Sequence, residues 1–93
     1  MTVKIRQVFG SRLVPPGADA ITLYPFIFYR HKHPPKKIID HEWVHIRQIE
    51  ETGWVRFYVS YLLYYLANRI AGFDHYNSYF SIPYETEAFL ETE

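Results

Sequence analysis

From Thr2 to Phe9 the chain alternates, with Val3, Ile5 and Gln7 on one side and Lys4 and Arg6 on the other. This period-two pattern predicts a half-exposed strand. Gly10 to Asp19 carries Pro15-Pro16-Gly17 and reads as a loop, and Ile21 to Tyr29 (ITLYPFIFY) is rich in β-branched and aromatic residues, predicting a second strand. Pro25 lies inside that run and has no N–H to donate to a ladder, so the strand is expected at a sheet edge or bulged there.

From Lys36 to Glu51 neither Pro nor Gly intervenes, and Ile38, Ile39, Val44, Ile46 and Ile49 recur at helical spacing. A helix is predicted there, stopped by Gly53. Trp54 to Ala71 (WVRFYVSYLLYYLANRIA) is apolar nearly all round and predicts a second helix, ended by Gly72 and buried at the centre of the fold. It does not read as a membrane span. The stretch between Arg56 and Asn68 is well short of the ~20 apolar residues a bilayer needs, and Tyr58, Tyr61, Tyr64 and Tyr65 each call for a hydroxyl partner. Phe73 to Ile82 reads as an aromatic, polar loop, and Pro83 opens a short helix over Tyr84 to Glu91. The elements predict an α+β fold: a small N-terminal sheet with its edge near Phe26 to Tyr29, packed on the first helix.

Ninety-three residues leave room for one domain, 1–93, and no separate substrate-binding lobe. With 48% hydrophobic and 19% aromatic residues the chain is too apolar to be disordered. Ten basic residues balance ten acidic ones, so no global field collects nucleic acid. Arg30 to Lys37 (RHKHPPKK) is locally basic but has few aromatics to stack bases, and a solvated face is the favoured reading. Cysteine is absent, which removes disulfides, thiolate metal sites and cysteine nucleophiles together. The N-terminal residues lack a secretory apolar run, and a cytoplasmic location is expected.

One motif carries chemistry. His41-Glu42-Trp43-Val44-His45 spells HExxH inside the first helix. Two His four residues apart share one helix face, so both imidazoles can reach one tetrahedral Zn²⁺ at ~2.0–2.1 Å. Glu42 projects beside them, where its carboxylate can accept a proton from an attacking water and hand it to a leaving amine. With five His in the chain, chance placement produces such a pentapeptide in about two shuffled sequences per hundred, so helical context adds weight. A catalytic zinc needs a third protein ligand and an open fourth position. A metzincin arrangement is excluded, because Gln48 and Glu51 stand where its Gly and His belong. The downstream segment Ile82-Pro83-Tyr84-Glu85-Thr86-Glu87-Ala88 offers carboxylates on another helix.

In these features the chain resembles the gluzincin-type zincin metallopeptidases, and most of all the short HExxH proteins of bacteria and bacteriophages that carry HExxHxxQ and a later Pro-aromatic-Glu-x-Glu-Ala. The matching residues are His41, Glu42, His45, Gln48, Pro83, Tyr84, Glu85, Glu87 and Ala88, spread over about half the chain. The resemblance implies a minimal zincin-like fold and hydrolysis of a peptide or protein substrate. It also implies zinc held by His41, His45 and Glu85, with Glu42 as catalytic base. Glu87 is the reserve ligand, since residues two apart on a helix point about 200° apart and only one can face the metal.

Other polar residues have plainer readings beside their functional ones. Gln48 lies one turn beyond His45 and either bonds a ligand or is an ordinary surface glutamine. Asp40 and Asp74 can orient an imidazole, though helix-start or loop roles are preferred. Tyr76, Tyr79 and Tyr84 are near in sequence but are read as core, and His31, His33 and His75 as solvated loop residues. Two rival classes stand beside the peptidase: a zinc-stapled structural or interaction module that cuts no bond, and a protein that docks on a partner or membrane surface through the Tyr-rich helix.

Overall fold

The computed structural model describes residues 3–92. It is a mixed α+β fold of a three-stranded sheet and four helices. The strands are β1 (Arg6–Val8), β2 (Ala20–Leu23) and β3 (Phe26–Tyr29), and the helices are α1 (Lys36–Thr52), α2 (Trp54–Ile70), α3 (His75–Phe80) and α4 (Pro83–Glu91).

The expected single strand over Ile21 to Tyr29 is instead a hairpin. The chain reverses at Tyr24-Pro25, and β2 pairs antiparallel with β3, Leu23 opposite Phe26 and Ala20 opposite Tyr29. Pro25 cannot donate to a ladder, and its place in the two-residue connection removes that demand. β3 is then the central strand rather than the edge, because β1 pairs parallel to its other side in the order β1-β3-β2. The first strand is also shorter than its alternation suggests. Its ladder begins where the Arg6 N–H meets the Pro25 carbonyl at 3.0 Å, and upstream of Pro25 the neighbouring chain turns away, so residues 3–5 lack a strand to pair with. Thr2, the first residue of the expected strand, lies outside the described residues.

One face of β3 drives the packing. Ile27 and Tyr29 are buried with Ile46 of α1, and Ile5, Ala20, Tyr24, Ile38 and Ile39 surround them. Phe26 and Phe28 occupy the other face, stacked at 5.9 Å. The Tyr29 hydroxyl donates to Gln7 Oε1 at 2.7 Å and Trp43 Nε1 donates to the same oxygen at 3.2 Å, tying β1 to α1. Arg30, from the basic segment, is turned onto the preceding loop, where Nε donates to the Ala18 carbonyl at 2.8 Å and the guanidinium also reaches the carbonyls of Val14 and Pro15.

Gly53 joins α1 to α2. It sits at φ 93°, where a side chain is strained, and its N–H closes α1 on the Ile49 carbonyl at 2.7 Å while its carbonyl accepts from Phe57. The two long helices end within a residue of their expected bounds. The burial expected of α2 is not found: Phe57 is its one buried residue, and its aliphatic side chains face outward. The segment expected to be a loop after Gly72 holds α3, capped by Asp74, whose Oδ1 accepts from the Asn77 N–H at 2.8 Å. Six residues are too few to form a helix alone, and α3 is held by contacts to α2, including Asn68 Nδ2 donating to the Ser78 carbonyl at 3.0 Å. Among the described residues no helix is long and apolar enough to cross a membrane.

Candidate metal centre

The buried residues of α1 are His41, Glu42, His45, Ile46, Gln48 and Ile49, so most of what this helix buries is polar. Their spacing of one and four residues gathers His41, Glu42 and His45 where their ligand-type atoms lie within 4.8 Å of one another. From α4, Glu85 comes across to complete the group. Its Oε1 lies 2.9 Å from His41 Nε2 and 3.0 Å from His45 Nε2. Pro83 at the start of α4 places Glu85 in the first turn, with its N–H on the Ile82 carbonyl.

Glu87 does not meet the imidazoles. It accepts from Arg47 at 2.7 Å and from Gln48 Nε2 at 2.8 Å, on the other side of α4 as the ~200° rotation requires. Gln48 has a defined place: Nε2 also donates to the Tyr84 carbonyl at 3.0 Å, so Oε1, 2.8 Å from His45 Nδ1, must accept and His45 Nδ1 must donate. That bond turns His45 Nε2 toward Glu85. Asp40 pairs instead with Lys36 at the start of α1.

Two contacts come from elements whose part in the site was not foreseen. Thr22 on edge strand β2 donates from Oγ1 to Glu42 Oε1 at 2.9 Å, and Tyr61 on α2 donates to Glu85 Oε2 at 2.6 Å. Tyr58 is shared differently, donating to the Thr22 carbonyl at 3.0 Å and accepting from the Tyr24 N–H at 2.9 Å. Tyr65 meets His75 Nδ1 at 2.8 Å. Three of the four tyrosine hydroxyls of α2 thus have partners. The α2 tyrosines were flagged for that need, but nothing local names those partners.

The electrostatics follow from burial and pairing. Burial pushes the Glu42 carboxyl above its ordinary value, with His45 and the Thr22 hydrogen bond pulling the other way. For Glu85 burial also acts upward, but hydrogen bonds from His41, His45 and Tyr61 prevail and lower it to about 2. Burial depresses His45, and the hydrogen bond and charge of Glu85 overcome this and raise it. Tyr61 and Tyr79 are pushed well up by burial and then by the Glu85 charge.

No family model, curated protein or solved structure matches this chain. What bears on function is the site itself. His41 Nε2 and His45 Nε2 each lie about 3 Å from Glu85 Oε1, and two imidazoles with a carboxylate are donors of the kind zinc takes. The group opens into a cleft of ≈ 960 Å³ bordered by Ile21, Thr22 and Leu23 of β2 and walled by Tyr76, Phe80 and Phe89.

Proposed function

We propose that the chain is a zinc-dependent metallopeptidase of minimal zincin-like fold, with His41, His45 and Glu85 as metal ligands and Glu42 as general base. The observation that carries this reading is the meeting of Glu85 with both α1 imidazoles, beside a separate buried carboxylate, at the floor of a cleft that borders an edge strand. Zinc bound there supplies positive charge that polarises a scissile carbonyl and acidifies an attacking water.

The remaining work falls to the protein. Glu42, made more basic by burial and held at Oε1 by Thr22, takes the proton of the attacking water and passes it to the leaving amine. Gln48 fixes the ring of His45, and Tyr61 holds the second oxygen of Glu85 so that Oε1 faces the imidazoles. An extended peptide fits along β2. The Arg30 N–H bonds the Asp19 carbonyl, so by alternation Ala20 and Thr22 turn their backbone groups outward. Tyr58 occupies the Thr22 carbonyl and the Tyr24 N–H, which ends the usable edge at Thr22.

The test is metal content by mass spectrometry for the wild type and for Glu85→Ala and Glu87→Ala, followed by turnover of a peptide mixture by Glu42→Gln. A single zinc is expected in the wild type and Glu87→Ala and is expected to be lost in Glu85→Ala. Glu42→Gln is expected to keep zinc and lose roughly 10²–10⁴-fold in rate. A wild type that takes up no zinc, or a Glu42→Gln protein with undiminished turnover, refutes the reading.

A further inference from the structure

α2 carries its apolar residues on the wrong side for a core helix. At about 100° per residue, Val55, Val59, Leu62, Leu63, Leu66 and Ile70 fall within one arc of roughly 100°, nearly opposite Phe57. Val55, Val59, Leu62 and Leu63 are 53–59% exposed and Ile70 is 86% exposed. The face that packs inward is the more polar one, with Tyr58, Tyr61, Tyr65 and Asn68 all engaged in hydrogen bonds. Six aligned aliphatic side chains on a 17-residue helix make a continuous apolar stripe about 25 Å long.

Charge decides what covers it. Arg56 and Arg69 bracket the arc on its two sides, and from Trp54 to Phe73 the sequence has no acidic residue. A second copy of α2 brings the same two arginines and no carboxylate. A self-paired α2 therefore gives Arg56 and Arg69 no complementary charge within the helix. The nearest acidic groups beyond the helix ends are Glu50, Glu51 and Asp74, of which Glu51 faces Arg47 and Asp74 caps α3. An aliphatic stripe flanked by arginines fits an anionic lipid surface, where the side chains enter the acyl boundary and the guanidinium groups meet headgroup phosphates. We propose that the outward face of α2 docks the protein on an anionic bilayer, with the helix lying in the plane of the interface. The proposal does not depend on the metal site.

Vesicle flotation of the full chain tests it, using phosphatidylcholine vesicles with and without phosphatidylglycerol. The wild type is expected to float with the anionic vesicles and at least about tenfold less with pure phosphatidylcholine, and added salt is expected to release it. Leu63→Glu with Leu66→Glu is expected to lower partitioning more than about tenfold, with the circular dichroism melt retained because these side chains face solvent. Arg56→Gln with Arg69→Gln leaves the stripe intact and is expected to lose about fivefold per arginine and most of the salt dependence. Absence of wild-type flotation overturns the proposal, as does flotation equal in the wild type and both double variants. Sedimentation showing a dimer that Leu63→Glu dissolves, without vesicle binding, assigns the face to a second copy and overturns it too.

Discussion

α1 and α2 are both 17 residues long and are separated by a single glycine, yet they treat burial in opposite ways. α1 is the more polar and buries His41, Glu42, His45 and Gln48 beside two isoleucines, whereas α2 is the more apolar and buries Phe57 alone. The difference shows that pairing, rather than hydrophobicity, admits these side chains to the interior. Each buried polar group of α1 has a partner, and among the described residues no buried side-chain nitrogen or oxygen lacks one. Left unpaired, such groups would cost about 1–3 kcal/mol apiece, and the hydrogen bonds of the cluster remove that cost.

The sharpest way to break the comparison is to truncate both faces of α2. Phe57 is buried against Tyr84, with ring centroids 4.5 Å apart, and its ring also nears His45 at 6.1 Å. Phe57→Ala is expected to cost roughly 3–5 kcal/mol in a denaturant melt. Leu63→Ala, on the outer face, is expected to stay within about 0.5 kcal/mol of the wild type. Equal losses from the two would mean that the outer stripe is covered in solution.

The inner face of α1 can be sharpened at Gln48. Its side chain links His45 to Tyr84 and Glu87, so Gln48→Leu removes the acceptor of His45 Nδ1 without touching a ligand. Zinc affinity measured by competition with a chelator is expected to fall about 10–100-fold. An unchanged affinity would mean that His45 is held by packing alone.

How much of this was legible in the sequence differs by region for physical reasons. The helix ends were readable because Gly53, Gly72 and Pro83 punctuate the chain, and HExxH spacing places its side chains on one face whatever the surroundings. The hairpin was missed because ITLYPFIFY keeps strand composition straight through the turn, and only pairing reveals that Pro25 lies between two strands. The role of β3 as central strand is likewise a matter of pairing. α2 misled through its low periodicity: a helix apolar nearly all round does not say which side the core takes, and here hydroxyls seeking partners on α4, β2 and α3 turned the polar side inward. Thr22 was invisible for a simpler reason, since it lies 20 residues from Glu42 and meets it only through the fold.

The smallest expected effect is a reversal of pH dependence on metal removal. In the metal-free protein Glu85 is lowered to about 2 from an ordinary 4.5, so its contribution is complete above 4.5 and is lost as pH falls toward 2. His45 is raised from 6.5, so its contribution is complete below 6.5 and is lost as pH rises through the raised value. Burial raises Glu42 from 4.5, which favours its protonated form and removes stability as pH climbs through its own raised value. Glu85 and His45 together place the metal-free optimum between pH 4.5 and 6.5, and Glu42 draws it toward the acid end of that range. Zinc competes with the protons on the imidazoles, so the loaded protein gains as pH rises over that same range. Melting temperatures at mildly acidic and mildly alkaline pH are therefore expected to fall with pH for the chelated protein, while the increment on adding zinc grows. In Glu85→Gln the alkaline fall of the metal-free protein is expected to shrink, because the charge that raises His45 is gone. An identical fall in Glu85→Gln would trace the pH dependence to groups outside the site and leave the buried polar face of α1 without an electrostatic signature.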